Sequence, residues 1–156
     1  MGIKSTVRDI IEQKHIKGAL VIDPHASVYE ALDAMAKFNV GALLVVEDEE
    51  LVGIFTERDY SRKIALNSQS SKTTLVSEVM QAGTCNVTTD DTAECSLSLM
   101  TDNHVRHLPV YEKGELIGII SMGDVVKAVI NDNQFMIDQL TCYVTGATVS
   151  HRAVYW

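Results

Sequence analysis

Two short runs in this chain set a hydroxyl and a carboxylate three positions apart behind a glycine. They are Gly53-Ile54-Phe55-Thr56-Glu57-Arg58-Asp59 and Gly118-Ile119-Ile120-Ser121-Met122-Gly123-Asp124, the second standing 65 positions after the first. Each follows an apolar, strand-like stretch and opens a helical one. A helix N-terminus offers unpaired N–H groups and a partial positive charge to an anion. Thr56 or Ser121 adds a hydroxyl, and the missing side chain of Gly53 or Gly118 leaves room for a ligand. Asp59 and Asp124 lie one turn in, where a carboxylate can accept both hydroxyl hydrogens of a ribose diol. The chemistry fits recognition of a sugar phosphate. The same spacing is also a capping box, which starts helices with no ligand involved. Two copies in register after equivalent strands favour the site.

Other constellations carry less. His104 and His107 could be a metal pair, but position 107 opens a strand and no third ligand is evident, so no metal site is expected. Cys85, Cys95 and Cys142 are odd in number and unpatterned, which indicates neither disulfides nor zinc. No Gly-x-Ser-x-Gly elbow, phosphate loop or His-Glu-x-x-His run is present, so an enzyme is not expected.

The repeat reaches well beyond the two motifs. Without a gap, Met35 pairs with Met100, Val40 with Val105, Leu43 with Leu108, Val45 with Val110 and Glu47 with Glu112. So long a period means two copies of one compact βαββα unit rather than a solenoid. The expected fold is therefore α/β, two pseudo-symmetric units packed through their sheets, plus a C-terminal helix. Helices are expected over 4–14, from a Ser27 cap to about Asn39, from Thr56, over 76–80, from Thr92, and from Ser121 to about Ile130. Strands are expected over 20–22, 42–46, 51–55, 107–111 and 116–120. A further helix is expected over 132–144 and an aperiodic tail to Trp156, pinned by Tyr155 and Trp156 or disordered. Unit 1 then spans 5–66, a polar linker 67–75, unit 2 76–131, and the C-terminal helix and tail 132–156.

Composition bounds the partners. A chain of 156 residues with 46% hydrophobic and 22% charged residues reads as an ordinary globular protein. Its net charge of −8 argues against nucleic acid and anionic membranes. No apolar run reaches the roughly 20 residues of a membrane span. The N-terminus lacks a secretory core, so a reducing cytoplasm is the expected compartment.

With these motifs, the run Val105-Arg106-His107-Leu108-Pro109-Val110 and the segment Val76-Ser77-Glu78-Val79-Met80, the chain resembles a tandem pair of CBS domains, the Bateman module, over about residues 5–131. The resemblance implies adenosine ligands in clefts between the units: AMP first, then ADP, ATP or NAD, and S-adenosylmethionine after these. It further implies a homodimer and a regulated partner protein that the sequence does not identify. In the first site it implies Thr56, Arg58 and Asp59, with Thr84 and Cys85 as the adenine wall and Arg106 and His107 facing phosphate. In the second it implies Ser121 and Asp124, with His15, Ala19 and Leu20 from the connector and the uncharged Gly41 and Ala42. One cation-rich and one cation-poor site are thus expected, the Asp59 site taking the more highly phosphorylated ligand. The alternative function is a ligand-free scaffold for dimerisation.

Overall fold

The structure, a computed structural model, describes residues 4–15 and 17–146. Tyr155, Trp156 and His151 lie outside the described residues. Helix α1 (Val7–Gln13) starts at a Thr6/Asp9 capping box, and β1 (Val21–Ile22) follows. Helix α2 (Val28–Phe38) is opened by Ser27 and Glu30 and closed by Asn39 in the left-handed region (φ 52°). Strands β2 (Ala42–Glu47) and β3 (Glu50–Thr56) form a hairpin, and β3 feeds α3 (Glu57–Asp59), which winds on as a π-helical turn over Tyr60–Ala65. The second copy runs α4 (Val76–Val79), β4 (Val87–Thr88), α5 (Ala93–Asp102), β5 (His107–Glu112), β6 (Glu115–Ser121) and α6 (Met122–Thr145).

Each copy builds a three-stranded sheet, β1-β2-β3 and β4-β5-β6, with its first pair parallel and its hairpin antiparallel. Even the irregularity repeats. The register shifts between Val45 and Val46, and again between Val110 and Tyr111. Strand alternation then assigns the faces. Leu43 and Val45 enter one helix-covered core, and Leu108 and Val110 the other. Ala42 and Leu44 turn the opposite way and meet Leu116 and Ile119 of the second copy in a cluster that joins the two sheets. His107 holds the register position that Ala42 holds in the first copy, opposite the hydroxyl residue of the adjoining strand. An imidazole therefore stands at the sheet–sheet seam.

The opening helices cross over. Val7 and Ile10 of α1 are buried with Val87, Leu108, Ile120 and Val125 of the second copy. Val76 and Val79 of α4 are buried with Val28, Leu43, Phe55 and Ile64 of the first. Backbone bonds fasten each crossing: the Val7 N–H donates to the Asp91 carbonyl at 2.8 Å and the Val76 N–H to the Ala26 carbonyl at 2.9 Å.

Strand β4 is additional to the expected strands, the helix expected from Thr56 is three α-helical residues and then a π-helical turn, and two expected helices are merged. The helices expected from Ser121 and over 132–144 are a single helix, α6, 24 residues long. Asn131, Asp132 and Asn133 are weak helix formers, but none is Gly or Pro, so nothing there breaks it. Nor does Asp132 start a new helix. Its carboxylate instead accepts from the Ser5 N–H (2.8 Å) and Ser5 hydroxyl (2.6 Å). Gly146, in the left-handed region at φ 65°, provides the stop.

Candidate functional site

Two cavities open along the seam between the sheets, and each contains one of the two hydroxyl residues. The smaller, about 230 Å³, brings Thr56, Glu57 and Arg58 of the first copy against Thr84, Arg106 and His107 of the second, with Gly41, Gln81 and His104 completing the walls. The larger, about 610 Å³, sets Ser121, Asp124 and Lys127 of the second copy against Lys14 and His15, with Gly41, Ala42 and His107 across from them. Ligand pockets are typically about 300–1,000 Å³, a range that holds the larger cavity and not the smaller.

The two acids live differently although both complete capping boxes. Asp59 is 3% exposed. One oxygen accepts from the Thr56 N–H (3.0 Å) and hydroxyl (2.9 Å), and the other from the Gln81 side-chain amide (2.9 Å). Lys63, at 3.4 Å, adds an ion pair. Asp59 thus lies beneath the cavity wall with both oxygens engaged by protein. Asp124 keeps 28% of its side chain exposed and lines its cavity. One of its oxygens accepts from the Ser121 N–H and from the Lys14 ammonium, both at 2.8 Å. Burial pushes its carboxyl up, but Lys14 and the Ser121 cap outweigh burial and hold it below the usual carboxylate range.

The helix termini differ as well. Ser121 caps a 24-residue helix, whose aligned peptide dipoles favour an anion at that end. Thr56 caps three α-helical residues and then a π-helical turn, with Glu57 adding negative charge at the cavity itself. An anion is better placed at Ser121.

Several expected residues come together and others do not. Cys85 packs against the core of the second copy, Ala19 joins the inter-sheet cluster and Leu20 packs on the first core, so none of the three lines either cavity. Gly53 does not leave space for a ligand. A Cβ there would meet the Gln81 carbonyl oxygen and Met80 Sδ at 2.8 Å, so the glycine admits the connecting chain, and the Ile54 N–H donates to the Gln81 carbonyl at 2.9 Å beside it. The expected contrast in cations is also corrected. Arg58 and Arg106 line the smaller cavity, and Lys14 and Lys127 the larger. Sequence reasoning missed Lys14 because α1 belongs to the first copy in sequence and to the second in packing. Nothing in the sequence marked Lys14, since its bonds to the Ile119 carbonyl (3.0 Å) and to Asp124 (2.8 Å) exist only once the chain has crossed to the second copy. His107 is shared by both cavities, and burial, then Lys14 and Arg106, push its imidazole down against the opposing pull of Asp124 and Asp59.

Among the described residues no three His, Cys, Asp or Glu gather to hold a metal, and no helix is long and apolar enough to cross a membrane. The family model of the CBS domain matches residues 6–66 and again 76–131. The CBS domain-containing protein CBSX3, mitochondrial, of Arabidopsis thaliana is 42% identical over 125 residues, which are 77% of this chain and 61% of that protein. The chain thus spans less than two thirds of that relative. The crystal structure of the CBS domain NE2398 is 43% identical, with a TM-score of 0.76 over 82% of this chain and 99% of that one. The CBS domain protein PAE2072 from Pyrobaculum aerophilum, complexed with AMP, shares the fold at 20% identity, with a TM-score of 0.67 over 76% of this chain and 88% of that one.

Proposed function

The chain belongs to the CBS domain family, and from that premise we propose that it is a regulatory module that binds an adenine nucleotide at Ser121 and Asp124 and dimerises to signal. The larger cavity carries the reading. There the start of a long helix, a partly exposed carboxylate, Lys14 and Lys127 surround one space large enough for a nucleoside phosphate. In this reading Asp124 accepts the ribose hydroxyls through its free oxygen, while Lys14, Lys127 and the α6 N–H groups take phosphate. AMP is the first candidate, and the AMP complex of the P. aerophilum protein supports it at the level of the fold. ADP, ATP and NAD follow, then S-adenosylmethionine. The smaller cavity is the weaker site, because Asp59 must release Gln81 before it can meet a ribose.

The scaffold reading is favoured by one observation, the complete internal satisfaction of Asp59. Thermal melting of nucleotide-stripped protein against AMP, ADP, ATP, NAD, NADH and S-adenosylmethionine separates the two. A ligand of the folded state raises stability by about 2.7 kcal/mol at a hundred times its dissociation constant. Asp124→Asn is expected to weaken the stabilising ligand at least about tenfold, and Asp59→Asn far less. No shift with any ligand leaves the scaffold.

A further inference from the structure

Among the described residues only Gly41 and His107 line both cavities, and Gly41 has no side chain, so the imidazole of His107 is the one described side chain that both cavities share. We propose that His107 couples occupancy of the two cavities by anionic ligands, and that its charge sets the sign of the coupling. This rests on the nucleotide reading above and adds to it how the two sites inform each other. The charged groups that act on the ring are Lys14 just after α1, Asp124 of α6, Arg106 just before β5 and Asp59 of α3. Glu57, Arg58 and His104 line the smaller cavity beside it, and His15 and Lys127 the larger.

A neutral imidazole has one N–H and one lone pair. A phosphate oxygen in one cavity takes the N–H, and the other cavity then faces the lone pair. Rotating the ring or changing the tautomer moves the donor but does not add one. Two anions therefore compete while His107 is neutral. An imidazolium has two N–H donors and a positive charge, so each cavity can hold an anion against it. Filling the second cavity then takes up one proton from solvent onto the ring. Burial and the nearby Lys14 favour the neutral ring in the empty protein, so competition is the resting condition near neutrality. Acidification turns it towards joint occupancy.

The test is calorimetric titration of the full chain with AMP at about pH 6 and about pH 8, in buffers of different ionisation enthalpy. In the wild type the second AMP is expected to bind about tenfold more weakly than the first at the higher pH, within the usual range of coupling. At the lower pH the gap closes and a proton is taken up with the second AMP. His107→Gln keeps one donor but gains no charge, so the gap persists at both pH values. A gap that ignores pH in the wild type, or closes equally in His107→Gln, overturns the proposal. So does AMP filling one cavity only, although the nucleotide reading survives that result. AMP binding nowhere removes the reading and the proposal together. Should His107→Gln fail to fold, NMR of histidine-labelled wild type decides. The His107 ring must titrate at higher pH with AMP than without, and an unmoved titration overturns the coupling.

Discussion

Asp59 and Asp124 occupy the same place in two copies of one motif, and their partners make them chemically unequal. A buried carboxylate whose lone pairs are all taken is structure, because diverting it to a ligand strips donors such as Gln81 of their acceptor. A carboxylate with one oxygen facing a cavity can do both jobs. Asp124 is the second kind, and its pairing with Lys14 has a consequence for pH. A folded-state value held below the ordinary 3.8 means that the unfolded chain binds the proton more readily. The pairing therefore stabilises fully above that ordinary value and fades as pH falls through the depressed one. Asp124→Asn should cost about 1–3 kcal/mol at neutral pH, a hydrogen-bonded charge being lost. The deficit should close as pH falls from that ordinary value through the depressed one, where the wild-type carboxylate also protonates. Urea midpoints of both proteins across that range check it. A deficit that stays constant into acid would mean the ion pair does not stabilise the fold.

At the scale of elements the repeated glycines separate the two copies most cleanly. A methyl at Gly53 collides with the backbone oxygen of Gln81 and with Met80, both at 2.8 Å, and the backbone atom cannot step aside cheaply. A methyl at Gly118 approaches Ile11 Cδ1 at 3.3 Å, the end of a flexible side chain. Gly53→Ala should thus destabilise by about 1–3 kcal/mol, as overpacking does. Gly118→Ala should be close to neutral, and equal losses in chemical denaturation would refute the contrast. Local features of this kind were legible in part. The capping boxes at Ser27, Thr56 and Ser121 need only three-residue spacing, and the hairpin strands announce themselves as apolar runs around polar turns. The 65-residue period gave the pseudo-symmetry. What the neighbours of Gly53 are was not legible, since Met80 and Gln81 reach it across the fold. The crossing of α1, which brings Lys14 to Asp124, was hidden for the same reason. The continuity of α6 was hidden because three polar residues look like an interruption until Ser5 is seen to hold Asp132.

For the whole molecule the question is what α6 does beyond its contact with the second copy. Val126, Ile130, Ile137, Leu140 and Val144 recur at alternating spacings of four, seven, three and four, with Asn133 at the intervening heptad place, and form one exposed stripe. Leu140 is 60% exposed and Val144 81%. The residues on the cavity side, Asp124, Lys127 and Asn131, lie on a different face, so a partner on the stripe leaves the larger cavity open. A chain of net charge −8 repels its own copies except where charge is absent, and from 133 to 146 the only charged residue is Asp138. These features support the stripe as the surface through which the proposed homodimer forms, with β-branched residues at Ile130, Ile137 and Val144 suited to a pair of parallel helices. Sedimentation velocity tests it. Wild type is expected as a dimer. The double substitution Ile137→Glu and Leu140→Glu should weaken self-association at least about hundredfold, two buried charges each costing more than a decade. Melting of the variant monomer should still be cooperative, because both residues lie outside the cores of the two copies. If the variant remains dimeric, the copies meet on another face and the stripe serves a different partner.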